Sequence, residues 1–508
     1  MPDRPNVVVV VLDCGRHYDF PGGPEPVRMP FVESLRSEVV EFPRAVSPSP
    51  WTVPGHASLF TGQYPWEHRV HMKGQLFLDP STPTIASRLR DLGYASLALT
   101  ANGLVSPSFG LLNGFDEAVV GEWWEKFLRV SPTGSVLPAP PGVMPARPSS
   151  GSGPEARGRS GPSAVPSRLA HSLVEGQDPV WMGSAVNVLN LGLHRLRQSG
   201  LPYPLPISPW IEPTMEQWVA ALSPERPIFC FVNFLETHEP YIADPARRGG
   251  ALGWARHALL RQDKTGFLAG RWNPSPSQFG RLRTLYRDAL GALDRRIATL
   301  VDILRRAQRW ENTLFVLTAD HGQAFGEHGY LFHATRVWEP LLRVPLWVRW
   351  PLGRGGGRQA TGWASLIDVL PTVLEACGAS EGLRGSGLPL TQLVGAARPG
   401  PALAMSDGLQ GKQNLAQLAP DRVALWDTPW IAGYADDRKL LLDLERDELQ
   451  VYEVMRDPKE LRDRWPEEKN TLSDLGQQVR DAGHALTGRA PAPVTADIAS
   501  RLKSWGYD

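Results

Sequence analysis

Cysteine is scarce in this chain, and neither sign of charge dominates it. The 508 residues include three cysteines, Cys14, Cys230 and Cys377, far apart. That number and spacing exclude a disulfide framework and a zinc ribbon, and they fit a reducing compartment. Lys plus Arg equals Asp plus Glu at 53 each, so no global field attracts nucleic acid or an anionic membrane, and any anion site must be local. Long apolar runs are missing too. Val7 to Leu12 is far too short for a signal-peptide core or for a membrane span of about 20 residues. These absences predict a cytoplasmic protein with no membrane anchor and no nucleic-acid partner; nothing in the sequence sets an oligomeric state. What is present is a chain 42% hydrophobic, enough for a substantial core in one large domain with additions, or in two to three ordinary ones.

Short β-branched runs predict five buried parallel strands: "NVVVVVL" from Asn6, "ASLALT" from Ala95, "IFCFVNF" from Ile228, "TLFVLT" from Thr313 and "VPLWVRW" from Val344. Helical patterns alternate with them. From Arg281 to Ala307, Leu282, Tyr286, Ala289, Leu293, Ile297, Leu300 and Leu304 recur at steps of three and four, which gives one apolar stripe. "TIASRLRDLGY" from Thr84 is a second helix, with Gly93 placed to end it. The alternation predicts a doubly wound α/β sheet that gathers ligands at the carboxyl ends of its strands. Residues 130–167 form a Pro/Gly/Ser tract that cannot bury enough to offset its ordering entropy; it reads as a flexible insert. Residues 168–212 are amphipathic, a candidate cap over the site or a packing insertion. No internal repeat is visible. Beyond Leu390 the runs "RVALWD", "WIAGYADD", "KLLLDL" and "QVYEVM" predict a small antiparallel sheet, so the expected organisation is a catalytic domain over 1–390 and a C-terminal subdomain over 391–508.

One stretch raises a chemical question. "SPSPWTVPGHASLFTG", Ser47 to Gly62, reads as a loop entering a helix, with the hydroxyl of Thr52 between two large apolar residues. The ordinary reading is an N-cap threonine, but such junctions also favour anions and oxyanions. Asp13 directly follows the first strand, and Asp320 and His321 follow the strand from Thr313. Singly, a strand-end Asp is often a helix cap. Together, two carboxylates, an imidazole and a hydroxyl at one sheet edge make an O/N set suited to a divalent cation, which would lower the pKa of Thr52 and make it a nucleophile.

"PNVVVVVLDCGR", "SLFTGQYPWEH", "TIASRLRDLGYASLAL", "NGFD", "ETHEPY", "LYRDALGALDRRIATLVDIL", "TADHGQAFGEHGYLFHAT", "EPLLRVPLWVRW", "SLIDVLPTVLEACG" and "VYEVMRDPKELRD" occur in one order along the chain. In that order they resemble the sulfatase branch of the alkaline phosphatase superfamily. The resemblance covers most of the chain apart from the Pro-rich tract and the segment after it. It implies an α/β sandwich with a mainly parallel central sheet, a smaller C-terminal antiparallel sheet, and metal-assisted covalent hydrolysis of a small-molecule sulfate or phosphate ester.

Counted back from Thr61–Gly62, Thr52 falls where sulfatases place the Cys or Ser that is oxidised to formylglycine. Threonine cannot become that aldehyde, because its Cβ carries a methyl group and oxidation stops at a ketone. Pro54–Gly55–His56 replaces the sulfatase "P-S-R", and "LTANGLVSPS" lacks the expected lysine-and-histidine segment. Both departures point away from sulfate esters. A threonine nucleophile resembles the phosphodiesterase and phosphotransferase relatives that work through phosphothreonine. The expected function is therefore a phosphomonoesterase or phosphodiesterase; the alternatives are transfer to a soluble alcohol, a sulfatase without formylglycine, and a degenerate binding protein.

The resemblance implies one metal, held by Asp13, Thr52, Asp320 and His321, with zinc or manganese favoured over calcium or magnesium because His321 is an imidazole. A second metal is not expected, since the residue four before His238 is Phe234 rather than an aspartate. Cys14 replaces the second Asp of the sulfatase pair and reads as a small apolar residue rather than a soft ligand. His238 and His333 are the candidates to contact phosphoryl oxygens or protonate a leaving group. His56, Asn102 and His328 are candidate substrate contacts. Arg336 reads as a solvated arginine, Arg16 as a partner of Asp19 or a packing residue without a catalytic role, and Trp123, Trp124, Trp254 and Trp272 as packing or an aromatic substrate wall.

Overall fold

The computed structural model describes residues 4–122, 126–130, 136–137, 208–241, 260–382, 384–408 and 426–487. Among them a ten-stranded sheet runs through the larger part of the molecule. Its centre is built from β1 (Asn6–Leu12), β2 (Ala95–Thr100), β3 (Ile228–Phe234), β4 (Thr313–Thr318) and β5 (Leu346–Arg349), in the spatial order β5-β4-β1-β3-β2. β4, β1, β3 and β2 are mutually parallel, with Val9 opposite Phe231 on one side and Val316 on the other. Every residue of β1 is buried, as expected of a strand with both faces covered. β5 departs from the expectation of five parallel strands: it pairs antiparallel with β4, Trp347 opposite Leu317. A short apolar run looks the same in either direction, so its sequence carries no orientation.

Helices cover the sheet. Those that bear on the site are α1 (Thr52–Thr61), α2 (Ile85–Asp91), α3 (Ile211–Ala220) and α4 (Pro276–Arg306). The periodic helix expected over 281–307 thus begins one turn and a half earlier. Ser275 caps it, its hydroxyl accepting from the Gln278 amide at 3.3 Å, with Pro276 in the first turn. Gly93 follows the end of α2 at φ +87°, a conformation glycine adopts without strain.

A second, four-stranded antiparallel sheet holds β6 (Ala402–Ser406), β7 (Trp430–Ala435), β8 (Arg438–Asp443) and β9 (Glu448–Tyr452) in chain order. Helix α5 (Ser473–Thr487) packs on one face, where Val479 and Leu475 meet Ile431 and Leu440. β6 was not anticipated, and of "RVALWD" only Trp426 and Asp427 are described, in a helical turn. This sheet is tied to the main body beside the site. The Met405 amide donates to the Pro48 carbonyl at 2.9 Å, the Ser406 hydroxyl to the Ala334 carbonyl at 3.0 Å, and Asp407 accepts from His71 at 2.7 Å.

The 130–167 insert lies outside the described residues apart from Val130 and residues 136–137, which are strand, and so does the candidate cap apart from 208–212. Trp123, Trp124 and Trp254 fall outside them as well. Among the described residues no helix is long and apolar enough to cross a membrane.

Candidate active site

The carboxyl ends of four adjacent parallel strands deliver the chemistry. Asp13 and Cys14 follow β1, Asp320 and His321 follow β4, Thr237 to Glu239 follow β3, and Asn102 follows β2. The amino end of α1 meets them from the side. Thr52 is its first helical residue, and Trp51 holds the cap position; the capping role for Thr52 is therefore not used, and its hydroxyl is left for other partners. The helix comes close because residue 55 is glycine: a Cβ there would sit 2.9 Å from the Asp320 carbonyl oxygen.

The Thr52 hydroxyl meets two lone pairs here, on His321 Nε2 and Asp320 Oδ2. The Nδ1–H of His321 donates to the Gly322 carbonyl at 2.9 Å, which leaves Nε2 as an acceptor. That Nε2 stands 3.3 Å from Thr52 Oγ1 and 3.4 Å from Asp320 Oδ2. Asp320 Oδ1 is occupied by the amides of Cys14, at 3.1 Å, and His321, at 2.9 Å, whereas the buried Oδ2 has no hydrogen-bond partner among the described residues. Asp13, also fully buried, accepts from Asn102 Nδ2 at 2.7 Å. Ligand atoms of Asp13, Cys14 and His321 lie within 4.8 Å of one another.

Burial pushes Asp13 up to about 6, helped by the neighbouring charge of Asp320, and pushes Asp320 up to about 7. Burial also holds His321 down at about 4 and His56 at about 3. Two carboxylates and a neutral imidazole sharing a dry basin are poorly compensated by the protein alone. The orphaned Oδ2 and the donor set fit a divalent cation.

Behind this basin lie His238 and His333, ring centroids 5.1 Å apart, with His333 4.5 Å from His321. The Nδ1–H of His238 donates to the Glu239 carbonyl at 2.6 Å. His333 Nδ1 meets Gln323 Oε1 at 2.8 Å, and burial holds this imidazole well below its usual range. Asn102 gives its Nδ2 to the Asp13 carboxylate. His56 donates from Nδ1 to the Thr52 carbonyl at 2.9 Å, bracing the first turn of α1.

Three sequence expectations are corrected. His328 is not brought to the basin: its ring stacks on Trp338 at 3.9 Å, and Nε2 lies 3.7 Å from Glu460. Arg336 is buried rather than solvated, with its guanidinium over Trp426 and Trp430. Cys14 does not face apolar neighbours. At φ +60° its thiol turns toward Asp13, Oδ1 at 3.4 Å, and toward His333 Nδ1 at 3.6 Å. Arg16 pairs with Asp19 at 3.1 Å and with Glu327 at 2.7 Å, and Trp272 is a buried packing residue.

Sequence reasoning missed Glu239, Gln323 and Lys264. Gln323 Nε2 donates to Glu239 Oε2 at 3.1 Å, and Lys264 Nζ lies 3.4 Å from Oε1. Glu239 adjoins His238 in "ETHEPY", so its place in that motif was the available signal; Lys264, at the start of a short helix (Lys264–Leu268) without a motif, offered none. Arg296 of α4 positions the whole segment. It binds Glu212 of α3 at 2.5 Å, the buried Glu236 and the Ser208 hydroxyl, and lies 4.4 Å over the Phe234 ring. Arg296→Leu leaves Glu236 buried without its counter-charge and is expected to cost about 3–5 kcal/mol, measured by denaturant unfolding.

Fold and site together define an ester-bond hydrolase on an alkaline-phosphatase-like α/β sandwich with a small C-terminal antiparallel sheet. The chain belongs to the sulfatase family, whose model, described as Sulfatase, matches residues 5–379. Enzymes of this family bind a divalent metal. The chain is 25% identical over 496 residues to the choline-sulfatase of Rhizobium meliloti (strain 1021), covering 92% of this chain and 85% of that one. Its fold is similar to that of a protein solved in complex with its substrate D-glucosamine-2-N,6-O-disulfate, at TM-score 0.66 and 15% identity over 96% of this chain and 99% of the other. It is also similar to the phosphonate monoester hydrolase of Agrobacterium radiobacter, at TM-score 0.62 and 18% identity over 95% of each chain.

Proposed function

We propose that the protein hydrolyses small-molecule phosphomonoesters or phosphodiesters through a phosphothreonine at Thr52. The observation that carries this reading is the hydroxyl itself: an alcohol that cannot become formylglycine, 3.3 Å from His321 Nε2 at the start of a helix. Asp13, Thr52, Asp320 and His321 hold the ion, zinc or manganese by their mixed donors. When bound, the ion supplies positive charge that lowers the hydroxyl pKa and offsets charge on the transferring group. Thr52 gives up its proton to solvent, Oγ1 bonds to phosphorus, and the bond to the leaving alcohol breaks. The leaving oxygen takes a proton from His238 or His333. Water then attacks phosphorus and returns one proton to the histidine, the P–Oγ1 bond breaks, and Thr52 regains its proton from solvent. The three buried free cysteines support a reducing, cytoplasmic setting.

The similarity to a choline-sulfatase favours a second reading, sulfate-ester hydrolysis by the same alcohol. A panel of aryl phosphomonoesters, phosphodiesters, phosphonates and sulfates on metal-loaded protein separates the two. Phosphorus esters are expected to turn over fastest and to leave a phosphoryl adduct on Thr52 in quenched samples. Preference for the sulfate, with no phosphoryl adduct, overturns the proposal.

A further inference from the structure

Beside the basin stands a second group of donors that this mechanism does not need as a set. Cys14, His238, Glu239 and His333 are all buried, and one ligand atom of each lies within 4.8 Å of the other three. His333 Nδ1 is 3.6 Å from Cys14 Sγ and 3.7 Å from Glu239 Oε2. A tetrahedral zinc-type ion, with bonds of about 2.0–2.3 Å, separates its donors by about 3.3–3.8 Å. These side chains therefore already stand close to the spacing an ion would impose.

We propose that Cys14, His238, Glu239 and His333 form a second cation site for a zinc-class ion, next to the one at Asp13, Asp320 and His321. The donor types select the metal: one thiol, two imidazoles and one carboxylate suit a borderline-soft, four-coordinate ion and not calcium or magnesium. Charge balances as well, because a thiolate and a carboxylate neutralise a divalent ion, with Lys264 on the far carboxylate oxygen. The supporting shell is in place. His238 spends its Nδ1–H on the Glu239 carbonyl, which fixes the tautomer with its lone pair on Nε2. Gln323 Nε2 steadies Glu239 Oε2.

Cys14 is held for this orientation at some expense in backbone energy. Its φ of +60° is uncommon for a residue with a Cβ. Two bonds fix it there: its amide donates to Asp320 Oδ1 at 3.1 Å, and its carbonyl accepts from the Tyr286 hydroxyl at 3.1 Å. Strain maintained by specific hydrogen bonds is a feature of functional positions. Taking up the ion releases the thiol proton, and His333 moves its proton from Nδ1, beside Gln323 Oε1, to Nε2. Both imidazoles then serve as ligands, and proton donation to the leaving alcohol passes from them to solvent.

This inference deepens the metal-dependent reading of the adjoining basin, and its test reports on the two sites separately. The full chain is stripped with a chelator, loaded with Co(II), and measured for bound metal by elemental analysis and for a thiolate-to-cobalt charge-transfer band. Two equivalents with the band are expected, falling to one without the band in Cys14→Ser, and to one without loss of the band in Asp320→Asn. Glu239→Gln, which leaves the strained turn at Cys14 untouched, is expected to fall to one equivalent as well. One equivalent in the unaltered chain overturns the proposal, and does so even if the band is present, since the thiol then serves the first ion. Two equivalents that persist in both Cys14→Ser and Glu239→Gln also overturn it. Loss of all metal in Asp320→Asn counts against independent sites and overturns it too.

Discussion

Thr52→Ala abolishes turnover on any ester the enzyme accepts, by roughly 10³- to 10⁶-fold in kcat, the range seen when a covalent nucleophile is removed. Thr52→Ser keeps the alcohol and is expected to retain measurable activity. The pair is informative because Thr52 is not the capping residue of its helix, so the alanine variant keeps the ordinary surface of interactions at that turn. Its thermal midpoint is expected to stay within a few degrees of the parent, a shift of about 1 kcal/mol or less. A large fall in activity at constant stability assigns the loss to the hydroxyl. A Thr52→Ala enzyme with activity close to the parent removes the covalent mechanism.

Asp320→Asn carries the second large effect. Its Oδ1 holds two backbone amides, and an asparagine oxygen can keep both. The change is confined to Oδ2, the orphaned atom facing His321, where a charge gives way to an amide. Metal affinity is expected to fall by at least about tenfold, with activity lost at limiting metal. Ion binding is expected to raise the thermal midpoint of the parent through linkage and to raise that of the variant by clearly less. The metal-free variant is expected to be no less stable than the metal-free parent, because it no longer buries that charge. Equal metal-induced shifts in the two proteins would take Asp320 out of the ligand set.

Much of the framework was legible because its causes are local. The strands at Asn6, Ala95, Ile228 and Thr313 are β-branched runs of the length of one buried strand, and the helix before Ala307 carries its stripe for several turns. Once such strands are parallel, the residues just past their ends must share an edge, which is why Asp13, Asp320 and His321 could be grouped across some 300 positions. What was not legible depends on geometry the sequence does not encode locally. The direction of β5 is set by the partner it finds. β6, "ALAMS", has no β-branched residue and owes its strand form to pairing with β7. The role of Cys14 turned on one backbone angle, and the identity of the residue gave no hint of it. Arg336 lies buried between tryptophans that are far from it in sequence.

The attachment of β6 to Pro48 and Ala334 bears on modularity. One bond reaches the loop that leads into the helix carrying Thr52, the other the residue after His333. The smaller lobe is thus a brace on both sides of the candidate basin, and cutting the chain near residue 390 is expected to release two loops at once. A minimal active fragment has to keep that brace, so the larger lobe is not a portable cassette.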